Sequence, residues 1–435
     1  MALKDRGSKL AVKVRDFVRE GFTPRFGELK ESFTSDEKWR RLQSLGTELW
    51  LDSGDMEEVA GLWTREFTAL TTNNTLLNRE IQKGSYDDFI LEAAALLDEF
   101  EDLDRADLKL ELAFILNARH ALKLVERFDA FVSVEEHTDL ASDLEGSVEY
   151  AWRFHDICPE RFYVKIPFSP AGLLATRRLS DEGIAINHTL GFSARQNYLV
   201  ASIGRPAFVN VFMGRLNSLV ADNGLGDGSY VGERATLASQ RLVRGLRDDP
   251  GITTRQIGAS LREGKQVPDV AGIDVMTIPC KVAREYLELG LPPEKLKDET
   301  GLDYQPGLDA RIDPERITLD TLWDLNNELV ECVNALQREK IEDFSASDLV
   351  GFFKMRGCGD VLVEWSDSQQ KTSAAEGKIP RLDNWRKLLA DREIALDSLM
   401  NLAGWNSFAA DQREMDTHVE QVIAAAQDRR KPSST

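Results

Sequence analysis

Lys165 is the residue of this sequence whose setting most clearly suggests chemistry. It lies in the run RFYVKIPF, whose period of two is typical of a β-strand and puts Tyr163, Lys165 and Pro167 on the same side. A deprotonated lysine amine attacks carbonyl carbon, and the product of that attack is an imine. Taken alone, however, a lysine at the end of a strand is usually a solvated surface residue. The prediction of chemistry therefore depends on the residues around it.

Five further strand-like runs end in polar side chains, which an apolar core would not contain. Taken singly, each of these residues is typical of a turn. Taken together, they would surround the amine with two carboxylates and several hydroxyls and amides. This set fits imine chemistry on a carbonyl sugar, with Asp52 and Glu135 as the candidates for proton transfer. The polar ends are Asp52 and Asp55; Thr71, Thr72 and Asn73; Glu135; Asn187 and Thr189; and Ser260 and Arg262.

These residues need elements that bring them to one place. The middle of the chain repeats a short β-branched or aromatic run followed by a helical stretch, and strands that alternate with helices form a parallel sheet. Eight such strands can close into a barrel, whose catalytic residues lie at the carboxyl ends of the strands. The sequence therefore predicts an α/β fold, a parallel (β/α)8 TIM barrel, with strands at Glu48–Ser53, Ala69–Asn73, Ala130–Glu135, Phe162–Ile166, Ala185–Leu190, Ala207–Met213, Arg255–Ser260 and Val275–Pro279.

The chain extends beyond this barrel on both sides. We expect residues 1–40 to form an N-terminal helical arm, and residues 41–345 to form the barrel with its closing helices. The alternation of strand-like runs and helical stretches ends at about Gly301. Beyond this point, Leu319–Leu336 has the pattern of an amphipathic helix. We expect residues 346–435 to be a mostly helical C-terminal extension, whose role the sequence leaves open.

The composition excludes several classes of protein. With 54 Lys and Arg against 74 Asp and Glu, the net charge of −20 repels nucleic acid and anionic membrane surfaces. No run approaches the roughly 18 apolar residues of a membrane span, and the first residues lack the apolar stretch of a secretory signal. We therefore expect a cytoplasmic protein that binds neither nucleic acid nor membranes. The sequence leaves open whether it is a homodimer or a monomer.

The cysteines and histidines do not indicate a metal site. The four cysteines, Cys158, Cys280, Cys332 and Cys358, form no CxxC pair, and the five histidines are scattered along the chain. We expect no metal and no other cofactor. Unpaired thiols also fit a reducing compartment.

Seven motifs between about Leu49 and Gly290 resemble, in the same order, those of the transaldolase family of class I (Schiff-base) aldolases. The strand of Lys165 and the helix after it, YVKIPFSPAGLLATRRLSDEGI, resemble the family's KIPxTxEGLxAxxxLxxEGI. The other motifs, each with its family counterpart, are LWLDSGD (LDTGD), LTTNNTL (ATTNPSL), VSVEEHTD (SxEVD), INHTLGFSARQ (NxTLxFSxxQA), VFMGRL (PFVGRI) and IGASLR (ASFR). The resemblance implies the barrel and the imine chemistry of this family.

The resemblance also implies roles for individual residues. Lys165 would form the imine, Glu135 would act as general acid and base through a water molecule, and Thr189 would orient that water. Asp52 would exchange the proton of a substrate hydroxyl. The residues implied to contact the sugar are Asn73, Asn187, Thr71 and Phe212, the last as an apolar wall, and those implied to bind its phosphate are Arg215, Ser260 and Arg262.

Residue spacing supports the same phosphate site. Ser260 and Arg262 are two residues apart at the predicted end of one strand, so alternation would point both side chains the same way. Arg215 would close a strand that neighbours it in the barrel. Two arginines there would supply the local positive field that a chain of net charge −20 otherwise lacks.

The motifs depart from the family pattern at three places. Asn210-Val211 stands where the family usually has Ser-Pro, so a larger amide replaces a hydroxyl at a position expected to bind substrate. Asn74-Thr75 replaces Pro-Ser, and Gly191 replaces a leucine. These departures concern the choice of acceptor rather than the imine residues.

The function implied by the resemblance is that of a transaldolase in the pentose phosphate pathway. A dihydroxyacetone unit would pass from sedoheptulose 7-phosphate or fructose 6-phosphate to an aldose phosphate through a lysine imine. One alternative is an aldolase that releases the three-carbon unit, as fructose 6-phosphate aldolases do. A tyrosine at the position of Phe212 accompanies that activity in the family, so Phe212 favours transfer. The other alternative is a non-catalytic sugar-phosphate-binding protein.

Overall fold

The structure, a computed structural model, describes residues 7–430 and contains a closed barrel of eight parallel strands. Each strand pairs with its neighbours in chain order, and β1 also pairs with β8 to close the barrel. This confirms the predicted (β/α)8 TIM barrel. The strands are β1 Glu48–Asp52, β2 Phe67–Thr71, β3 Phe131–Glu135, β4 Phe162–Pro167, β5 Ile186–Thr189, β6 Phe208–Phe212, β7 Arg255–Ala259 and β8 Val275–Pro279.

Helices surround the barrel and form its extensions. Those up to the last strand's helix are α1 Lys9–Arg19, α2 Glu37–Ser44, α3 Met56–Ala60, α4 Asn74–Ile81, α5 Asp87–Leu97, α6 Arg105–Phe128, α7 Leu144–Ile157, α8 Pro170–Asp181, α9 Ala194–Ile203, α10 Met213–Asp222, α11 Val231–Gly245, α12 Gln266–Asp269 and α13 Cys280–Glu288. Those that follow are α14 Asn327–Leu336, α15 Ala346–Met355, α16 Asp367–Glu376, α17 Arg386–Ala390 and α18 Leu396–Arg430. None of the helices within residues 7–430 is both long enough and apolar enough to cross a lipid bilayer.

The helix after β4 shows how local sequence sets an element's ends. The Ser169 hydroxyl accepts a hydrogen bond from the Gly172 backbone N–H at 2.8 Å, and Pro170 occupies the first helical position. Gly183 follows the helix with a φ of +83°, a conformation that glycine adopts without strain. The chain leaving Lys165 is therefore held in a defined direction.

Aromatic side chains fill the barrel beneath the lysine. Tyr163, two residues before Lys165 on the same face of β4, stacks on Phe131 with ring centroids 5.0 Å apart. Trp50 packs edge-on against Phe208 at 4.8 Å, and Tyr163 contacts both of these rings. This layer separates the polar side chains at the carboxyl ends of the strands from the ion pair of Glu48 with Arg255 at their amino ends.

The segment after the barrel differs from the predicted single helix over Leu319–Leu336. A 3-10 turn spans Leu319–Leu322, and α14 begins only at Asn327. The cause is Asn326, whose side chain accepts a hydrogen bond from the Leu329 N–H at 2.9 Å and caps a new helix. A second apolar cluster, in which Leu329 lies together with residues of α15, then packs this segment against α8 and α9.

The final helix, α18, lies across the mouth of the barrel. Asp397, which is fully buried, accepts hydrogen bonds at 2.7 Å from the Arg195 Nε and the Ser193 hydroxyl, both after β5. Farther along the helix, Asp416 contacts the His137 Nε2 at 3.2 Å, on the loop after β3. The C-terminal extension therefore packs over the carboxyl ends of the strands.

Candidate active site

A cavity of about 320 Å³ opens at the carboxyl ends of the strands, beneath α18. The structure brings eleven of the twelve predicted site residues to its lining. These are Asp52, Thr71, Asn73, Lys165, Asn187, Thr189, Asn210, Phe212, Arg215, Ser260 and Arg262. The twelfth, Glu135, is buried directly beside Lys165 in the register of β3 and β4.

Lys165 occupies the centre of the lower cavity. Its side chain is only 5% exposed, and its Nζ donates a hydrogen bond to the Thr72 carbonyl at 2.9 Å. Glu135 is its register partner on one side and Asn187 on the other. The amine is thus held at a fixed position within reach of a small molecule in the cavity.

Asp52 lies at the end of β1, where the barrel limits its access to bulk solvent. One carboxylate oxygen accepts a hydrogen bond from the Thr71 hydroxyl at 3.2 Å, and that hydroxyl also contacts the Thr277 hydroxyl. Burial raises the pKa of Asp52, while the positive charge of Lys165 opposes the rise. A carboxyl with a raised pKa can hold a proton as well as accept one, which general acid–base catalysis requires.

Glu135 lies on the other side of the amine. One carboxylate oxygen accepts a hydrogen bond from the Asn74 backbone N–H at 3.1 Å, at the first residue of α4. Burial again raises the pKa of this carboxyl, against the lowering effect of Lys165. Two carboxyls with raised pKa values therefore lie close to one lysine amine. The residue types predicted two carboxylates there, but not the direction of their pKa shifts.

A third buried carboxyl, Glu136, did not enter the sequence-based site. It points out of the barrel, where the Ser147 hydroxyl donates to it at 2.8 Å. Burial, with Glu135 and Asp143 nearby, raises the pKa of Glu136 to about 8. The doubled glutamate of VSVEEHTD was a signal for a second carboxyl at this point, because Glu136 directly follows the last residue of β3.

Two asparagines form the wall between β5 and β6. The Asn187 amide donates to the Ser133 hydroxyl at 3.0 Å, and the Asn210 amide donates to the Asn187 side-chain oxygen at 3.2 Å. The Thr189 hydroxyl is buried and makes no hydrogen bond to any residue of the described 7–430. It is therefore available to a small polar molecule in the cavity.

Two of the departures from the family motifs contact each other. The Gly191 N–H donates to the Asn210 side-chain oxygen at 3.2 Å. A Cβ on Gly191 would lie 2.2 Å from the Asn210 carbonyl oxygen, so this backbone has no room for the leucine of the family motif. The backbone of residue 210 therefore restricts position 191 to glycine, and the Gly191 N–H in turn holds the Asn210 side chain.

The basic residues line the cavity, but their positions in the secondary structure differ from the predicted ones. Arg215 lies in the first turn of α10 rather than at the end of β6, and Arg262 follows β7 by three residues. Ser260 has a φ of +60°, so the strand alternation that was expected to align Ser260 with Arg262 does not apply. The expectation that their strands are neighbours was right, since Phe212 of β6 pairs with Ala259 of β7.

Close backbone packing holds these basic residues together. The Gly214 N–H donates to the Ser260 carbonyl at 3.1 Å, and a Cβ on Gly214 would lie 2.2 Å from that oxygen. Arg262 is exposed, whereas Arg215 is only 6% exposed. Burial, together with the charge of Arg262, lowers the pKa of Arg215 to about 10, so Arg215 remains a cation at neutral pH. An anionic ligand would relieve the repulsion between the two arginines.

Two residues of the lining come from the C-terminal extension and were not foreseen. Lys378 follows α16, and Phe408 lies on α18. Phe408 packs against Phe212 with ring centroids 6.3 Å apart. Their place could not be read from the sequence, because it depends on how α18 crosses the barrel.

The fold and the cavity together define a (β/α)8-barrel protein with a lysine-centred polar site. The family model described as "Transaldolase/Fructose-6-phosphate aldolase" matches residues 49–349. The chain belongs to this family.

Individual relatives give the same assignment at moderate identity. The chain is 29% identical over 252 residues to a transaldolase of Xanthomonas euvesicatoria pv. vesicatoria, covering 56% of this chain and 77% of the relative. It is 34% identical over 151 residues to a probable transaldolase of Heliobacterium modesticaldum, covering 34% and 63%. It is 29% identical over 254 residues to a probable transaldolase of Thermus thermophilus, covering 58% and 95%.

Proposed function

We propose that this protein is a transaldolase. Lys165 would form an imine with a ketose phosphate, either sedoheptulose 7-phosphate or fructose 6-phosphate, and a dihydroxyacetone unit would pass to an aldose phosphate. The observation that carries the proposal is the position of the Lys165 amine close to Asp52 and Glu135, at a cavity that Arg215 and Arg262 also line. The same cavity therefore offers an amine that suits a carbonyl and two guanidinium groups that suit a phosphate.

Imine formation is assigned to Lys165 and Glu135. The Lys165 Nζ attacks the ketose carbonyl at carbon 2, and the resulting carbinolamine loses its oxygen as water. Glu135, acting through a water oriented by Thr189, supplies the proton that this oxygen needs to leave. The raised pKa of Glu135 suits that role, because the carboxyl can hold the proton before transfer.

Cleavage and transfer are assigned to Asp52. Asp52 takes the proton of the hydroxyl at carbon 4 as the bond between carbons 3 and 4 breaks, and the aldose phosphate leaves. The electron pair of the broken bond stays with the iminium as an enamine of dihydroxyacetone. An acceptor aldehyde then adds to carbon 3, Asp52 returns the proton to the new hydroxyl, and hydrolysis frees Lys165.

The remaining cavity residues would bind the substrate. Thr71, Asn73, Asn187 and Asn210 would contact the sugar hydroxyls, and Phe212 would keep the water site apolar on one side. Arg215, Ser260 and Arg262 would hold the phosphate by charge-assisted hydrogen bonds. The substrate would thus be fixed at both ends, with carbon 2 at the amine.

The setting of the protein is part of the proposal. We place it in the cytoplasm and in the pentose phosphate pathway, as a monomer or homodimer. All four cysteines are free and buried, which accords with a reducing compartment. The net charge of −20 disfavours nucleic acid as a partner.

A coupled assay separates transfer from simple cleavage. The protein is supplied with fructose 6-phosphate, and glyceraldehyde 3-phosphate is measured with and without erythrose 4-phosphate. Transfer predicts turnover only when the acceptor is present. Equal turnover without acceptor would assign the protein to the aldolase alternative, and absence of turnover in both assays would contradict the proposed enzyme.

A further inference from the structure

The match to the family ends at residue 349, but residues beyond that position also line the cavity. Lys378 and Phe408, both in the C-terminal extension, line the same cavity as Lys165. Phe408 contacts Arg215, and Lys378 lines the same cavity. The extension therefore supplies part of the site that the family match does not include.

The ring of Phe408 packs against the buried side chain of Arg215. The guanidinium carbon of Arg215 lies 5.5 Å from the ring centroid of Phe212 and 5.2 Å from that of Phe408. One ring comes from β6 of the barrel and the other from α18, so the cation contacts two neighbouring aromatic rings of separate origin. Such contacts are strongest where water is excluded, as it is around Arg215.

The backbone of α18 also approaches this arginine closely. A Cβ on Gly404 would lie 3.4 Å from the Arg215 Nη1 and 3.0 Å from a Leu190 methyl carbon. Glycine at this position, one turn before Phe408, lets the helix lie directly over the guanidinium. The contact between the extension and Arg215 therefore involves both the backbone of α18 and an aromatic ring.

Hydrogen bonds fasten α18 on both sides of the mouth. On the β5 side, the Asn401 amide donates to the Leu190 carbonyl at 2.5 Å, one residue after Thr189. On the β2 side, the Thr75 hydroxyl donates to Asp411, and Thr75 is one of the departures from the family motif. Phe408 lies between these two attachments along the helix, so its position relative to Arg215 is well determined.

Lys378 contributes charge at the edge of the cavity. It is exposed, and the lining also contains three other exposed cations, Arg79, Arg262 and Lys281. A chain of net charge −20 that gathers cations around one opening creates a local field for an anion. Lys378 is the member of this group that the extension supplies.

We propose that the C-terminal extension is a specificity element for phosphorylated sugars. Phe408 positions Arg215 for the sugar phosphate, and Lys378 adds a cation at the entrance of the same site. The inference rests on the proposed function for the identity of the sugar, but the contact with phosphate can be tested without imine chemistry.

The test compares Phe408→Leu and Lys378→Ala in the full chain. The readout is the ratio of kcat/KM for fructose 6-phosphate to that for fructose. We expect this ratio to fall about tenfold for Phe408→Leu, since a desolvated arginine–aromatic contact has that magnitude. For Lys378→Ala we expect this ratio to fall about threefold. The fall should be smaller at high salt, because salt screens exposed charges. Lys378 is exposed, so this variant remains informative if Phe408→Leu folds poorly.

Two matched controls lie in the extension but not in the cavity. Phe352→Leu removes a ring that stacks on Arg356 at 3.6 Å, and Lys371→Ala removes an exposed lysine of α16. Both should keep the parent ratio. The inference is overturned if the test variants keep it too, or if they lower kcat/KM equally for both sugars.

Calorimetric binding of inorganic phosphate separates this inference from the proposed function. If the parent chain fails to turn over any sugar phosphate, the proposed function fails. The comparison of phosphate affinity between Phe408→Leu and Phe352→Leu would then still decide whether the extension positions Arg215. Equal affinities would refute the role given to Phe408.

Discussion

Replacing Arg262 with alanine should weaken the binding of phosphorylated sugars selectively. Arg262 lines the cavity near Arg215, and its backbone N–H donates to the Gln266 side chain at 2.6 Å. The Gln266 amide donates in turn to Glu233 at 2.7 Å, so the loop is fixed without help from the Arg262 guanidinium. Truncating that side chain should therefore remove a ligand contact and leave the loop in place.

The size of the effect follows from the exposure of the side chain. A hydrogen bond between charged groups contributes about 1.5–3 kcal/mol, but solvent screens contacts made by an exposed guanidinium such as this one. We therefore expect the lower end, about 1.4 kcal/mol, which corresponds to a tenfold rise in KM for fructose 6-phosphate. Loss of Arg262 also removes the repulsion that helps to lower the pKa of Arg215, which moderates the effect further.

The assay compares KM for fructose 6-phosphate and for fructose. Arg386→Ala is a matched control, because Arg386 is 77% exposed on the extension and does not line the cavity. A tenfold rise confined to the phosphorylated sugar supports the phosphate site. Equal losses on both sugars would mean that Arg262 supports the fold or the lysine, and the reasoning would be refuted.

Three further predictions concern acidic residues. Asp52→Asn should lower kcat by about 10² to 10⁴ with little change in KM, because the amide cannot carry the proton; a kcat within threefold of the parent would exclude Asp52 as the proton carrier. Burial raises the pKa of Glu136 to about 8, so the folded state binds this proton more tightly than the unfolded state does. The free energy of unfolding that this group contributes is therefore lost as the pH rises from about 4.5 to 8. Urea unfolding of Glu136→Gln, which lacks this titration, should show a stability gain over the parent that grows across that range; a gain independent of pH would contradict the assignment. Asp397→Asn should lower the free energy of unfolding by about 3–5 kcal/mol, because it breaks a buried ion pair with Arg195, whereas Asp383→Asn on the surface should change it little.

The sequence predicted the barrel well because its signals are local. Seven of the eight strands begin and end within one residue of their predicted bounds, and β2 begins and ends two residues early. Alternation correctly placed Lys165 inside the barrel, since Tyr163 on the same face packs in the interior layer. Short apolar runs between capped helices carry this information without knowledge of distant contacts.

Prediction was weaker where the chain leaves regular structure. Thr72 and Asn73 were expected to end β2, but Asn73 instead caps α4 by accepting from the Leu76 N–H at 2.8 Å. Ser260 adopts a left-handed conformation, to which strand alternation does not apply. The Asn73 side chain competes for a backbone hydrogen bond, and Ser260 has a positive φ. Each of these features overrides the strand pattern.

The contribution of the extension could not be predicted, because it depends on tertiary contacts. Nothing in the local pattern of α18 indicates that Phe408 meets Phe212, or that Lys378 reaches the cavity. The docking of α18 is set by pairs such as Arg195 with Asp397, which lie about 200 residues apart in the chain. Only the three-dimensional structure reveals which face of the helix covers the site.

The most direct test of the account is reductive trapping at Lys165. The protein is incubated with fructose 6-phosphate and borohydride, digested, and analysed by mass spectrometry, with Lys165→Arg as the control that cannot form an imine. We expect loss of activity and one reduced sugar adduct on the peptide that contains Lys165, and no adduct in the variant. An adduct on another lysine, or none in the parent protein, would contradict the assignment of Lys165 as the residue that forms the imine.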